Sequence, residues 1–276
     1  MKRIVIICAI AALAFSCSKV QQSAPCMREW AFETEYTKAS IDDSGVFSWQ
    51  QGDRIDIWDA TSASFVPFTT IAGKGRFVAT APDNASFSEA AFYPSGIGVS
   101  ASSISLPVSY SAPDEATASF PMYAAVNTGD NLLHFKHLGA TVSITCTSVQ
   151  PELTRLELRS ANTALSGTFS LSEVAGNKVV RQKSGSGSVE VNFSLSQEGT
   201  VSVTVPVPVG TYPISICLGN DSDHEMLVVS SSGDMTFERA HRYQLKAFDY
   251  MTERFAFADG SIEGLTIMDD SAVWQN

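Results

Sequence analysis

Val201-Ser-Val-Thr-Val-Pro-Val-Pro-Val209, followed by Gly210, decides the fold class of this chain. Valine recurs at every second position, which sets β-branched side chains along one face of an extended strand. Pro206 and Pro208 fall on the opposite face. A proline has no N–H to give to a ladder, so the strand runs at a sheet edge or leaves the sheet there. Gly210 turns the chain into a second alternating run, Tyr212, Ile214, Ile216 and Leu218.

The same period of two extends outward in both directions. Trp30 and Phe32, with Glu35-Tyr36, give a ragged first strand, and Phe47, Trp49, Ile55 and Ile57 flank the turn Gln51-Gly52-Asp53. Ile104 and Leu106 follow, then Leu133 and Phe135, then Val142, Ile144 and Cys146. No window of about twelve residues after the N-terminal segment carries a 3.6-residue stripe. Only Ser86–Ala91 and Glu152–Leu156 suit single helical turns. The pattern predicts an all-β chain of short strands, the signature of sandwiches. At 276 residues it is too long for one ordinary sandwich. The boundary is expected at Ser148-Val149-Gln150-Pro151, and 181–188 (RQKSGSGS) reads as a Gly/Ser-rich hairpin tip in the second half.

The first seventeen residues, MKRIVIICAIAALAFSC, give an address. Lys2 and Arg3 precede an apolar run, Ile4–Phe15, too short to cross ~30 Å of hydrocarbon as a helix. Leu13-Ala-Phe-Ser-Cys17 resembles a bacterial lipobox, with a residue bulkier than usual at Phe15. The resemblance implies that the Cys17 thiol carries a diacylglycerol in the mature protein. The reading set against it is an ordinary signal peptide cut after a nearby small residue, or a short anchor. The expected organisation is a signal peptide over 1–16, a polar tether over 17–29, one sandwich over 30–150 and another over 151–276.

Composition removes several function classes. The formal charge of -11 becomes -13 once Lys2 and Arg3 leave, which disfavours nucleic acid as a partner. Beyond Cys8 and Cys17, three cysteines remain, Cys26, Cys146 and Cys217, with no Cys-x-x-Cys spacing. A disulfide framework or structural zinc site is not expected, and Cys146 reads as a buried apolar residue beside Val142 and Ile144. His134 and His137 are placed on opposite strand faces and cannot simply share an ion. The run Asn220–Glu225 around His224 lacks the glycine and terminal glutamate of a calcium loop. No Gly-x-Ser-x-Gly elbow is present, and Asp42-Asp43 and Asp269-Asp270 read as turn and tail residues. No catalytic residue, metal or cofactor is assigned.

Several segments, in order, resemble the fimbrillin family of Gram-negative surface lipoproteins. They are Phe47-Ser-Trp-Gln-Gln-Gly-Asp-Arg-Ile55, Ala91-Phe-Tyr-Pro94, Ile104-Ser-Leu-Pro107, Pro121-Met-Tyr-Ala124 and Leu133-His-Phe-Lys-His-Leu138. Leu165-Ser-Gly-Thr168 and Arg242-Tyr-Gln-Leu245 are looser matches. The resemblance implies two transthyretin-like Greek-key β-sandwich domains in tandem, export as an outer-membrane lipoprotein and a role as fimbrial subunit or adhesin. It also implies assembly with other fimbrial subunits by donor strand exchange, after a protease removes the first strand. A sandwich lacking one strand exposes unpaired backbone and an apolar trough, which a neighbour's strand fills. Such head-to-tail contact builds an open filament.

The family's cleavage point, an arginine in a Thr-Arg-Ala-Thr-like context, corresponds here to Thr37-Lys38-Ala39-Ser40, with lysine replacing arginine. Arg28 is the alternative processing site, expected to precede the strand. A monomeric lipoprotein that binds glycans or a host protein is the alternative function. For it Trp58, beside Asp56 and Asp59, is the candidate sugar contact, whereas Trp49 alternates with Phe47 and reads as core. The C-terminal apolar residues, Phe255 through Trp274, either close the fold as a last strand or are donated to a neighbour.

Overall fold

The structure, a computed structural model, describes residues 26–34, 49–72, 75–111, 121–220, 225–231 and 233–251. Cys17, Lys38, His224 and the C-terminal segment 252–276 lie outside them. The described residues form 23 strands in five sheets, and the chain is all-β as its period of two predicts.

The largest sheet has eight strands. In spatial order they are Leu132–Leu133, Met27–Thr34, Arg76–Pro82, Ser64–Thr70, Arg54–Asp59, Phe87–Tyr93, Met122–Val126 and Lys136–His137. Its two end strands are consecutive in the chain. Leu133 and Lys136 are three residues apart, so the two edges lie within about 11 Å of each other along the chain. The sheet therefore curls on itself, bridged by the segment between them. Inside sits a core of Phe32, Trp49, Ile55, Ile57, Phe68, Phe77, Leu133 and Phe135.

A second core lies between two sheets. In one, Gly199–Val207 pairs with Ala140–Val149, whose other side takes Arg242–Gln244 and then Phe248–Asp249, both parallel. The facing sheet runs Glu225–Ser230, Ser215–Gly219, Arg155–Arg159, Ser188–Asn192 and Ser109–Ser111. Val142, Ile144 and Cys146 join Val201, Val203 and Val205 against Leu156, Leu158, Val191 and Ile216. This is sandwich packing, built from the inward-facing residue of each dipeptide. Gly199–Val207 stands at a sheet edge, where Pro206 withholds no N–H from a second neighbour. Burial pushes the Cys146 thiol up to about 12, as its reading as a core residue requires.

A third cluster joins the two. The hairpin Ser166–Val174/Asn177–Ser186, with Ser103–Leu106 and Gly98–Ser100, packs against the outer face of the curled sheet. Ile104, Leu106, Phe169 and Val180 meet Ala90 and Phe92 there. Strand pairing thus crosses position 150 repeatedly: Ser103–Leu106 pairs with Ser166–Val174, and Ser109–Ser111 pairs with Ser188–Asn192.

Three local expectations change. Ser86–Ala91 is not a helical turn, because Phe87–Tyr93 is a strand between Arg54–Asp59 and Met122–Val126. Both its faces are buried, Ala91 and Tyr93 in the first core and Ala90 and Phe92 in the third cluster, which erases the alternation. The tract 181–188 is not a hairpin tip. The tip is Val174-Ala-Gly-Asn177, with positive φ at Ala175 (50°) and Gly176 (75°), a two-residue primed turn. The glycines of the tract serve close backbone approach: a Cβ on Gly185 would meet the Ser166 carbonyl oxygen at 1.9 Å. The run after Gly210 is not one strand. Gly210–Tyr212 pairs with Met235–Phe237, and Ser215–Gly219 enters the five-stranded sheet.

Candidate functional site

Met27–Thr34 (MREWAFET) begins within the expected tether and places Trp30 and Phe32 on one face. Phe32 is buried in the first core, edge-on to Phe68 at 5.3 Å and to Phe87 at 5.8 Å. Trp30 is half-buried and meets Phe87 at 5.0 Å. Burying a phenylalanine fully stabilises a fold by up to about 3 kcal/mol, so Phe32 is the strand's main apolar anchor.

The backbone of this strand is held unevenly. On one side it pairs antiparallel with Arg76–Pro82 in seven consecutive positions, from Met27↔Pro82 to Glu33↔Arg76. On the other side only Glu33 and Thr34 find partners, Leu132 and Leu133, in a parallel bridge. Among the described residues, Met27–Phe32 therefore presents an open edge. Withdrawing the strand breaks one ladder, uncovers a second open edge at Arg76–Pro82 and bares an aromatic trough made by Phe68 and Phe87.

Arg28 does not precede the strand, as the sequence suggested; it is the strand's second residue. Its guanidinium carbon lies 3.5 Å from the Trp30 ring centroid, and its Nε lies 4.0 Å from Asp83. The stacking places its charge over the electron-rich face of the indole. Trp58 is half-buried, 5.0 Å from Phe65, and packs on the third cluster. It stands on the outer face of the curled sheet, against the elements that cover that face. Trp49 is a core residue of the first cluster, within 4.8 Å of Phe77 and 5.1 Å of Tyr93.

Three carboxylates, Asp53, Asp56 and Asp59, brace this region. Asp56 accepts from the Ser95 hydroxyl and the Gly96 N–H, both at 2.6 Å. Asp59 accepts from the Ser62 hydroxyl at 2.7 Å, the Ser86 N–H at 2.8 Å and the Thr61 N–H at 3.0 Å. Burial works to raise the Asp59 carboxyl, but those three donors outweigh it and hold the group below the ordinary carboxylate value. At Asp53 burial wins and the carboxyl is raised, although Gln50 and Tyr93 donate to it. Both partners of Asp56 and the Ser86 partner of Asp59 lie far along the chain, so no local spacing exposes them, whereas Thr61 and Ser62 close a local turn on Asp59. Among the described residues, no three His, Cys, Asp or Glu side chains gather as a metal site would require.

No model of a protein family matches the sequence, and no curated protein does. Solved structures are similar. A candidate cell adhesion protein from Bacteroides ovatus superposes with a TM-score of 0.51 at 12% identity, covering 88% of this chain and 97% of that one. A candidate cell adhesion protein from Bacteroides uniformis gives 0.47 at 14% identity, over 87% and 98% of the two chains. The tip fimbrial protein Mfa3 from Porphyromonas gingivalis, truncated at its C-terminus, gives 0.36 at 11% identity, over 88% and 100%. Over nearly its whole length, the chain has the all-β sandwich fold of the Bacteroides ovatus protein.

Proposed function

We propose that this chain is a fimbrillin-like subunit or adhesin of a surface fimbria, carried to the outer membrane by lipid on Cys17 and joined to its neighbours by exchange of the strand Met27–Thr34. The observation that carries this reading is the uneven hold on that strand: one full ladder, one open edge and an aromatic anchor in a trough. An incoming strand of alternating apolar residues finds there both backbone partners and pockets. The fold shared with a candidate cell adhesion protein supports a role in surface contact. The chemistry of the chain on this reading is strand pairing, not bond-making.

Processing at Lys38 suits exchange better than processing at Arg28. A cut at Arg28 leaves Glu29–Thr34, with Trp30 and Phe32, attached to the body and the seat still filled. A cut at Lys38 severs the whole strand. The division into two tandem Greek-key units belongs to the same proposal, with Ala140–Val149 counted in the second because Val142, Ile144 and Cys146 pack in the second core.

Protease shaving of intact cells, followed by electron microscopy and mass spectrometry of the shaved and assembled material, tests the reading. The expected result is surface release, and filaments whose chains begin after Lys38. Protection of the chain in intact cells, or assembled chains that all retain a lipid-bearing Cys17, would overturn it.

A further inference from the structure

The last edge of the curled sheet and the tip of the 166–186 hairpin enclose a cleft of about 300 Å3 that strand exchange does not use. Its floor follows from strand alternation. Tyr123 and Ala125 share one face of Met122–Val126, and Lys136 is the direct cross-strand partner of Tyr123. His134, two residues before Lys136, lines the same cleft. The Tyr123 hydroxyl donates to the Glu89 carbonyl at 3.2 Å, so its ring, and not its hydroxyl, is offered to the floor. Ala125 adds no bulk beside it.

The opposite wall is the primed turn. Positive φ at Ala175 and Gly176 fixes the tip, and a Cβ on Gly176 would meet open space. The wall carries Glu173 and Lys178, whose carboxylate and ammonium lie 3.7 Å apart. Across the gap Lys136 Nζ donates to Asn177 Oδ1 at 2.9 Å. Two ammonium groups thus converge on one small volume in a chain whose net charge is -11. Pockets of this size that bind small molecules combine an apolar floor with a few convergent polar groups.

We propose that this cleft binds an acidic sugar, the carboxylate-bearing terminal residue of a glycan. The ring's C–H face lies on Tyr123 and Ala125, and its carboxylate meets Lys136 and Lys178. Glu173 and the Asn127 and Asn177 amides supply acceptors and donors for its hydroxyls. A neutral sugar satisfies the floor and the amides but brings no carboxylate to Lys136, which meets the neutral Asn177 oxygen. It leaves one carboxylate, Glu173, for two ammonium groups; the second carboxylate is the basis of selection. The site is separate from Trp58 and independent of strand exchange.

Titration of the folded mature chain by NMR or calorimetry tests it, with sialyllactose, glucuronic acid, lactose and glucose as probes. Saturable binding of the acidic probes is expected, and sialyllactose against glucuronic acid distinguishes the two sources of carboxylate. The double substitution Lys136→Ala with Lys178→Ala should weaken that binding roughly tenfold or more, since charge-assisted bonds are lost. Both lysines lie on the wall of an open cleft, and an unchanged melting temperature verifies that the variant is folded. No saturation with either acidic probe, equal binding of neutral probes, or binding that survives the double substitution would each overturn the proposal.

Discussion

The Trp49 indole N–H donates to the Thr34 hydroxyl at 2.9 Å, and so ties together the two ends of the stretch that carries Lys38. Thr34 is further fixed to Gly75, whose carbonyl accepts from the Thr34 N–H at 2.8 Å and from its hydroxyl at 3.2 Å. The first strand is consequently held at its C-terminal end by contacts that do not depend on an unbroken backbone. Cutting the chain between Thr34 and Trp49 should therefore not release the strand by itself. After specific cleavage of dilute protein, gel filtration under native conditions should return the N-terminal peptide with the body.

The same tie can be weakened without touching the core. Thr34→Val keeps the shape of the side chain but removes the acceptor, leaving the Trp49 indole without that bond. A loss of about 1–3 kcal/mol is expected. Chemical denaturation of the intact chain measures it, and peptide release from the cut form should be faster than in the parent.

Phe32 and Trp30 should differ in the same direction as their burial. Phe32→Ala opens a cavity against Phe68 and Phe87 and should cost about 3–5 kcal/mol. Trp30→Ala removes a half-buried ring and the Arg28 stack, and should cost less. Denaturation midpoints of the two variants decide the order.

The edge position of Gly199–Val207 was legible because proline states its constraint within the strand itself. The burial of Trp49 and Cys146 was legible from period two, in the alternation with Phe47 and with Val142 and Ile144. What escaped is what depends on distant partners. Phe87–Tyr93 hides its strand character because two separate clusters bury its two faces. Gly185 and Gly187 look like a flexible tract until Ser166 and Ser160 are seen against them: a Cβ on Gly187 would meet the Ser160 carbonyl oxygen at 2.5 Å. Leu133 and Phe135 alternate as residues of a single strand do, yet Leu132–Leu133 and Lys136–His137 are the two edges of a curled sheet, and only the closure of that sheet reveals the break. The seat of the first strand was suggested by the family resemblance, while its one-sided ladder is a property of the topology.

Gly185→Ala puts this reading of the glycine tract to the test. If the tract were a loop, the change would be neutral or slightly stabilising. Because a Cβ there collides with the Ser166 backbone, loss of more than about 2 kcal/mol, or failure to fold, is expected.

Acid should act on the fold through Asp59 and Glu157. At Glu157 burial works upward, but the Arg159 guanidinium at 2.6 Å outweighs it and the carboxyl is lowered, as at Asp59. A group lowered in the folded state contributes stability that is fully present above its unfolded value. That contribution is lost as pH falls through the folded value. Melting temperature should thus hold above the ordinary carboxylate range, near pH 4, and decline below it. Asp59→Asn should lower stability at neutral pH and flatten that decline.

Whether Met27–Thr34 is an exchangeable strand is tested by replacing residues 36–42 with the site of a sequence-specific protease, cutting the folded mature chain, and following mass by light scattering over a range of concentrations. Exchange predicts that the N-terminal peptide leaves faster at higher protein concentration and that head-to-tail multimers grow as it leaves, since an incoming strand drives it out. A cut chain that stays monomeric at every concentration, or loses its peptide at a rate independent of concentration, would contradict it.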